Sequence, residues 1–127
     1  MAGHEVVRKV LSVRQWQTID AILDNLAATE QVDGDPSAAQ RAGRLREVGW
    51  DALHSHPQAG QGTAGWPPDD SPFDVALTAD DWDFARLAVE RSTAVIRILH
   101  ADSEPDSRVR QVHAAALALG EDVLDAL

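Results

Sequence analysis

Two stretches of this chain, 66 residues apart, carry one pattern: Leu11-Ser12-Val13-Arg14-Gln15-Trp16 and Leu77-Thr78-Ala79-Asp80-Asp81-Trp82. Each is an apolar residue, a helix-capping hydroxyl, and a tryptophan four positions further on. After each copy come a helical spacing, an acidic turn with a proline (Asp33 to Ser37, then Asp102 to Asp106) and a second helical spacing. Those second spacings end in Trp50-Asp51-Ala52-Leu53 and Leu124-Asp125-Ala126-Leu127. A chain that states one plan twice is constrained to two similar halves. Most of its apolar residues are then accounted for as core.

The first helix is expected to start after Ser12, with Gln15 completing a capping box. Trp16, Ile19, Ile22, Leu23 and Leu26 then fall three and four apart, on one helix face. The second helix is expected to be capped by Asp35, with Pro36 in its first turn, and to carry Ala39, Ala42, Leu45, Val48, Ala52 and Leu53. His56-Pro57 ends it. The third starts after Thr78, where Asp80 and Asp81 suit the positive end of the helix dipole. Its stripe is Trp82, Ala85, Val89, Ile96 and Leu99. Pro105 is expected to play the part of Pro36, and the fourth helix carries Val109, Val112, Ala116, Leu119, Val123 and Leu127.

No alternating β-branched run is long enough to predict a strand. Residues 1–10 read as a short amphipathic lead-in of one or two helical turns. The expected fold is therefore all-α: one domain, 1–127, forming a four-helix bundle of two tandem hairpins (11–54 and 77–127) by internal duplication. A symmetric dimer with exchanged hairpins is the other arrangement. The joining segment, 55–76, is long and rich in Pro and Gly. Trp66 and Phe73 in it predict a strap laid on the bundle, since a disordered linker has few such residues.

Charge excludes some functions. The net charge is −10, which opposes sequence-independent binding to nucleic acid or to an anionic membrane. Between Glu47 and Ala85 there is no Lys or Arg, while Glu47, Asp51, Asp69, Asp70, Asp74, Asp80, Asp81 and Asp83 give −8 of that total. There is no cysteine, hence no disulfide or thiolate site. No run approaches the roughly 18 apolar residues of a spanning helix, and the N-terminus lacks a secretory pattern. A cytoplasmic protein is expected. One lysine against ten arginines, with abundant alanine, suggests a high-GC bacterial genome.

Catalytic signatures are missing. There is no Gly-x-Ser-x-Gly, no phosphate loop and no tyrosine. His54 and His56 could offer metal ligands with Asp51, Asp69 and Asp70, but residues two apart do not share a helix face. No catalytic residue, metal or other cofactor is assigned. His100 and His113 read as helix-end and boundary residues.

The Leu-Ser/Thr-x-x-x-Trp openings, each leading into a helix and an acidic Pro turn, resemble small helical proteins of actinobacterial caspase-and-TPR-repeat-associated (CATRA) conflict systems. The resemblance covers Leu77 to about Val112, and more loosely Leu11 to Leu45. It implies a non-enzymatic accessory module and carries over no catalytic residue.

The residues and the resemblance lead to one expectation. This is an acidic helical protein–protein interaction module, an adaptor in a bacterial multi-protein system. Asp69, Asp70, Asp74, Asp80, Asp81, Asp83 and Trp66 would meet a basic protein, because six aspartates without a neighbouring base repel one another. An immunity protein or antitoxin covering a basic toxin is a subtype. A small helical enzyme or ligand-binding protein, with a pocket near Trp50, His54, His56 and Trp66, is the reading from another class.

Overall fold

A computed structural model describes residues 2–127. The chain is mostly helical, with four helices, and it adds a two-stranded antiparallel sheet that the all-α expectation lacks. The order is β1 (Val6–Ser12), α1 (Val13–Asp33), α2 (Pro36–His54), β2 (Pro72–Thr78), α3 (Ala79–Asp102) and α4 (Arg108–Ala126), with short 3₁₀ turns at Ala2–His4 and Thr63–Gly65.

Both strands correct the sequence reading. The supposed helical lead-in is β1, and the last part of the supposed loop is β2. They pair in the register Val6↔Thr78 through Lys9↔Val75 to Ser12↔Pro72. Val13 N–H donates to Ser71 O at 3.0 Å, and Ala79 N–H donates to Glu5 O at 2.9 Å, closing the two ends of the ladder. Leu11, Phe73, Val75 and Leu77 point inward and are buried. Pro72 is tolerated because it is the first residue of its strand.

Each strand runs straight into a capped helix. Ser12 Oγ accepts from Gln15 N–H at 3.1 Å while Gln15 Oε1 accepts from Ser12 N–H at 2.9 Å, so the expected capping box is present. Thr78 Oγ1 accepts from Asp81 N–H at 3.1 Å. Asp35 caps α2 with Pro36 in the first turn, also as expected. Pro105 does not repeat that role: α4 is capped by Ser107, and Pro105 lies in the turn before it.

The Asp35 cap gives a pH-dependent contribution. Hydrogen bonds from the Ser37 hydroxyl and backbone N–H hold the Asp35 carboxyl below its ordinary value of 3.8. A lowered folded pKa adds stability above the unfolded pKa and loses it as pH falls through the folded one. Asp35→Ala should therefore be less stable than the parent near neutral pH. In denaturant melts, the difference should shrink below about pH 3.8.

α1 and α2 form one hairpin, and α3 and α4 the other. α1 also packs on α3 and α4, while α2 packs on β2. The core joins the inner sheet face to Trp16, Ile19 and Leu23, to Ala42, Leu45 and Leu53, to Trp82, Ala88 and Val89, and to Val123. Trp16 and Trp82 are both buried, as expected. Their indoles differ in one respect. Trp82 Nε1 donates to Val7 O at 2.8 Å, whereas Trp16 Nε1 has no partner. Arg46 ties the first hairpin by donating to Asp20 at 3.0 Å and Asp24 at 2.8 Å, and the Asp20 hydrogen bond raises its pKa further.

The later part of the 55–71 segment, from Trp66 to Ser71, lies against the body, as the aromatics suggested, while residues 57–61 are exposed. Trp66 packs on Trp50 with ring centroids 4.5 Å apart, and Phe73 stands perpendicular to Trp16 with centroids 6.5 Å apart. Gly62 N–H donates to Trp66 O at 2.6 Å, and Arg14 N–H donates to Asp69 O at 2.9 Å.

Candidate interaction surface

The six aspartates are not an unrelieved cluster, which corrects the expectation that they lack basic neighbours. Asp81 is only 13% exposed at its side chain, held by Arg41 Nε at 2.9 Å and Arg44 Nη2 at 3.3 Å. It ties α3 to α2. Asp69 and Asp70 share Arg14, at 3.8 and 3.4 Å. These bases come from α1 and α2, remote in sequence, so a linear reading could not see them. Asp74, Asp80 and Asp83 are exposed and form no ion pair among the described residues.

The sheet brings two of these three near a feature the sequence reading missed. Val6 and Val10 stand on the outer face of β1, 64% and 65% exposed, with Arg8 between them. Asp74 is the cross-strand partner of Val10, and Thr78, next to the start of α3 and Asp80, is the partner of Val6. Valines on a solvated strand face are what sets this surface apart. Lys9, the only lysine, points the other way. Its Nζ reaches Leu127 O at 3.1 Å and lies 5.7 Å from the Trp82 ring centre.

No family model matches the chain, and no curated protein and no solved structure matches it.

The aromatic and histidine group near α2 is a packed contact. Trp50, His54, Trp66 and Pro67 enclose about 50 Å³, well short of the roughly 300–1,000 Å³ of ordinary ligand pockets. His56 does not line that space. Its Nδ1 accepts from Gln58 N–H at 3.0 Å, which leaves Nε2 to donate to Pro72 O at 3.1 Å. The ring is fixed as a loop fastener. Trp66 likewise faces Trp50, so it fastens the strap. His113 Nδ1 lies 3.1 Å from Ser103 Oγ, between α3 and α4. Among the described residues no group of three or more His, Asp or Glu is placed to hold a metal ion, and no helix is long and apolar enough to cross a membrane.

Larger spaces flank the line where α1 meets α3. One, of about 350 Å³, is lined by residues including Thr18, Ile22, Ile96 and Leu119. The other, of about 440 Å³, includes Ile22, Leu26, Arg91 and Val95. Both are open grooves with apolar walls.

Proposed function

We propose that this chain is a non-enzymatic protein–protein interaction module whose acidic sheet end docks a basic partner protein. One observation carries the reading. Val6 and Val10 are exposed on the outer sheet face, with the unpaired carboxylate Asp74 opposite Val10 and the unpaired Asp80 just after Thr78, the partner of Val6; Asp83 lies past the edge of the sheet, in the cleft with Val7 and Lys9. Exposed apolar residues set among charged ones are a usual feature of a protein interface; here Arg8 lies between the two valines and the free aspartates lie beside them. The free aspartates steer a basic partner and the valines supply the contact that water leaves. Asp69, Asp70 and Asp81 serve the fold and add to the field at longer range. The resemblance to CATRA-associated proteins points to the same class, an accessory or adaptor component.

The proposal includes an internal duplication. Both strands have seven residues, both are followed by a hydroxyl-capped helix with a buried tryptophan at the fourth position, and α2 and α4 have 19 residues each. The ladder-closing bonds Val13 N–Ser71 O and Ala79 N–Glu5 O are each other's equivalents under that match.

The test is capture from an extract of the source cells on the immobilised full chain, beside the triple variant Asp74→Asn, Asp80→Asn, Asp83→Asn. The partner should bind the parent, bind the variant about tenfold or more weakly, and be released as salt rises. Asp80 lies in the first turn of α3, so circular dichroism must show the variant folded. Equal recovery on both proteins at every salt concentration would overturn the proposal.

A further inference from the structure

Helix α3 has two stripes. Trp82, Ala85, Val89 and Thr93 face the core. On the outside, Arg91, Val95, Ile98 and Asp102 follow one another at intervals of four, three and four, the heptad spacing of helices that pair. Val95 is 56% and Ile98 64% exposed, with Leu87 and Leu99 also exposed beside them. Arg91 and Asp102 are exposed and form no ion pair among the described residues. The helix therefore presents an apolar centre with a free positive charge at one end and a free negative charge at the other. The first half does not need this pattern. Counted from its cap as α3 is from Thr78, the same positions in the first half are Asn25, Thr29 and Val32 of α1 and Pro36, the first residue of α2.

We propose that two copies of the chain associate through this stripe, α3 antiparallel to α3, about a two-fold axis between Val95 and Ile98. The charge pattern selects that occupant. In the antiparallel pair Val95 meets Ile98 of the second copy, and Arg91 meets Asp102 of the second copy, each contact occurring twice. A parallel pair would set Arg91 against Arg91 and Asp102 against Asp102. The apolar residues supply the adhesion and the end charges set the orientation, as charged residues do in coiled coils. From Arg91 to Asp102 the stripe spans about 16 Å at 1.5 Å per residue. That is a small interface, and it gives a reversible dimer with a dissociation constant on the order of micromolar. This surface lies toward the far end of α3 from the sheet, so the inference stands whether or not the sheet end docks a basic protein.

Sedimentation velocity of the full chain, in about 0.15 M salt so that the net charge is screened, tests it over a concentration series up to about 100 µM, well above a micromolar constant. The parent should move from monomer to dimer. Ile98→Glu should stay monomeric with an unchanged circular dichroism spectrum and melting curve. Arg91→Asp makes both ends acidic and Asp102→Arg makes both ends basic, so each alone should dimerise about tenfold or more weakly. An equimolar mixture of those two variants should form a dimer, and the double variant Arg91→Asp, Asp102→Arg should recover self-association. A parent that stays monomeric throughout, an Ile98→Glu dimer as strong as the parent's, or charge variants that neither weaken alone nor recover together would each overturn the proposal.

Discussion

Truncating Trp16 to alanine is expected to lower the unfolding free energy by about 3–5 kcal/mol, read from urea denaturation. The indole is fully buried between the Phe73 ring, which is perpendicular to it, and the backbone of α2 at Gly49, so its removal opens a cavity at the junction of sheet and first hairpin. Its Nε1–H has no acceptor, and a buried orphan donor costs about 1–3 kcal/mol. Trp16→Phe should therefore be far milder than Trp16→Ala, because it removes the orphan along with part of the ring. Trp82 gives the control. Its Nε1 donates to Val7 O, so Trp82→Phe loses a buried hydrogen bond and should cost more than Trp16→Phe, which loses none. If the two Phe variants rank the other way, this account of the two tryptophans is wrong.

The second large effect is at Gly49. In an exposed helix, Gly→Ala stabilises by about 1 kcal/mol. Here a Cβ would overlap the Trp16 ring, which has no room to move. Gly49→Ala should instead destabilise by about 1–3 kcal/mol, the usual cost of overpacking. The sign should depend on Trp16. In a Trp16→Ala background the clash is gone, and Gly49→Ala should become neutral or stabilising. The double-mutant cycle measures this directly. An identical cost in both backgrounds would mean that Gly49 is not where the indole packs.

The helices were legible because their signals are local. The Ser12 capping box, the Asp35-Pro36 start and the Trp16, Ile19, Leu23 spacing need only neighbouring residues, and all of them stand in the structure. β1 was hidden because its polarity is inverted. Val6 and Val10 face water while Lys9 faces inward, its stem covered and its charge carried out to Leu127 O. That exchange cancels the period-2 signal a half-buried strand should show. β2 does alternate, with Phe73, Val75 and Leu77 inward and Asp74 outward, but it opens on Pro72 at the end of a Pro- and Gly-rich stretch, whose composition masks it.

The candidate surface was legible only in part. Its acidity is plain from composition, yet which carboxylates are free depends on Arg14, Arg41 and Arg44, brought in by tertiary structure. The exposed valines could be recognised only once β1 was known to be a strand. Trp66, expected at the partner surface, is partly buried against Trp50, a contact that links the strap to α2 and that its linear neighbourhood does not reveal.

The proposed docking at the sheet end is tested most directly by the association rate constant with the captured partner, measured by stopped flow as ionic strength varies. Steering by Asp74, Asp80 and Asp83 predicts a rate that falls by about tenfold or more from low to high salt. In the triple Asn variant the rate should start lower and fall less. A parent rate that does not change with salt, or a triple variant with the same rate and the same salt dependence, would contradict the proposal that this acidic end is where the partner arrives.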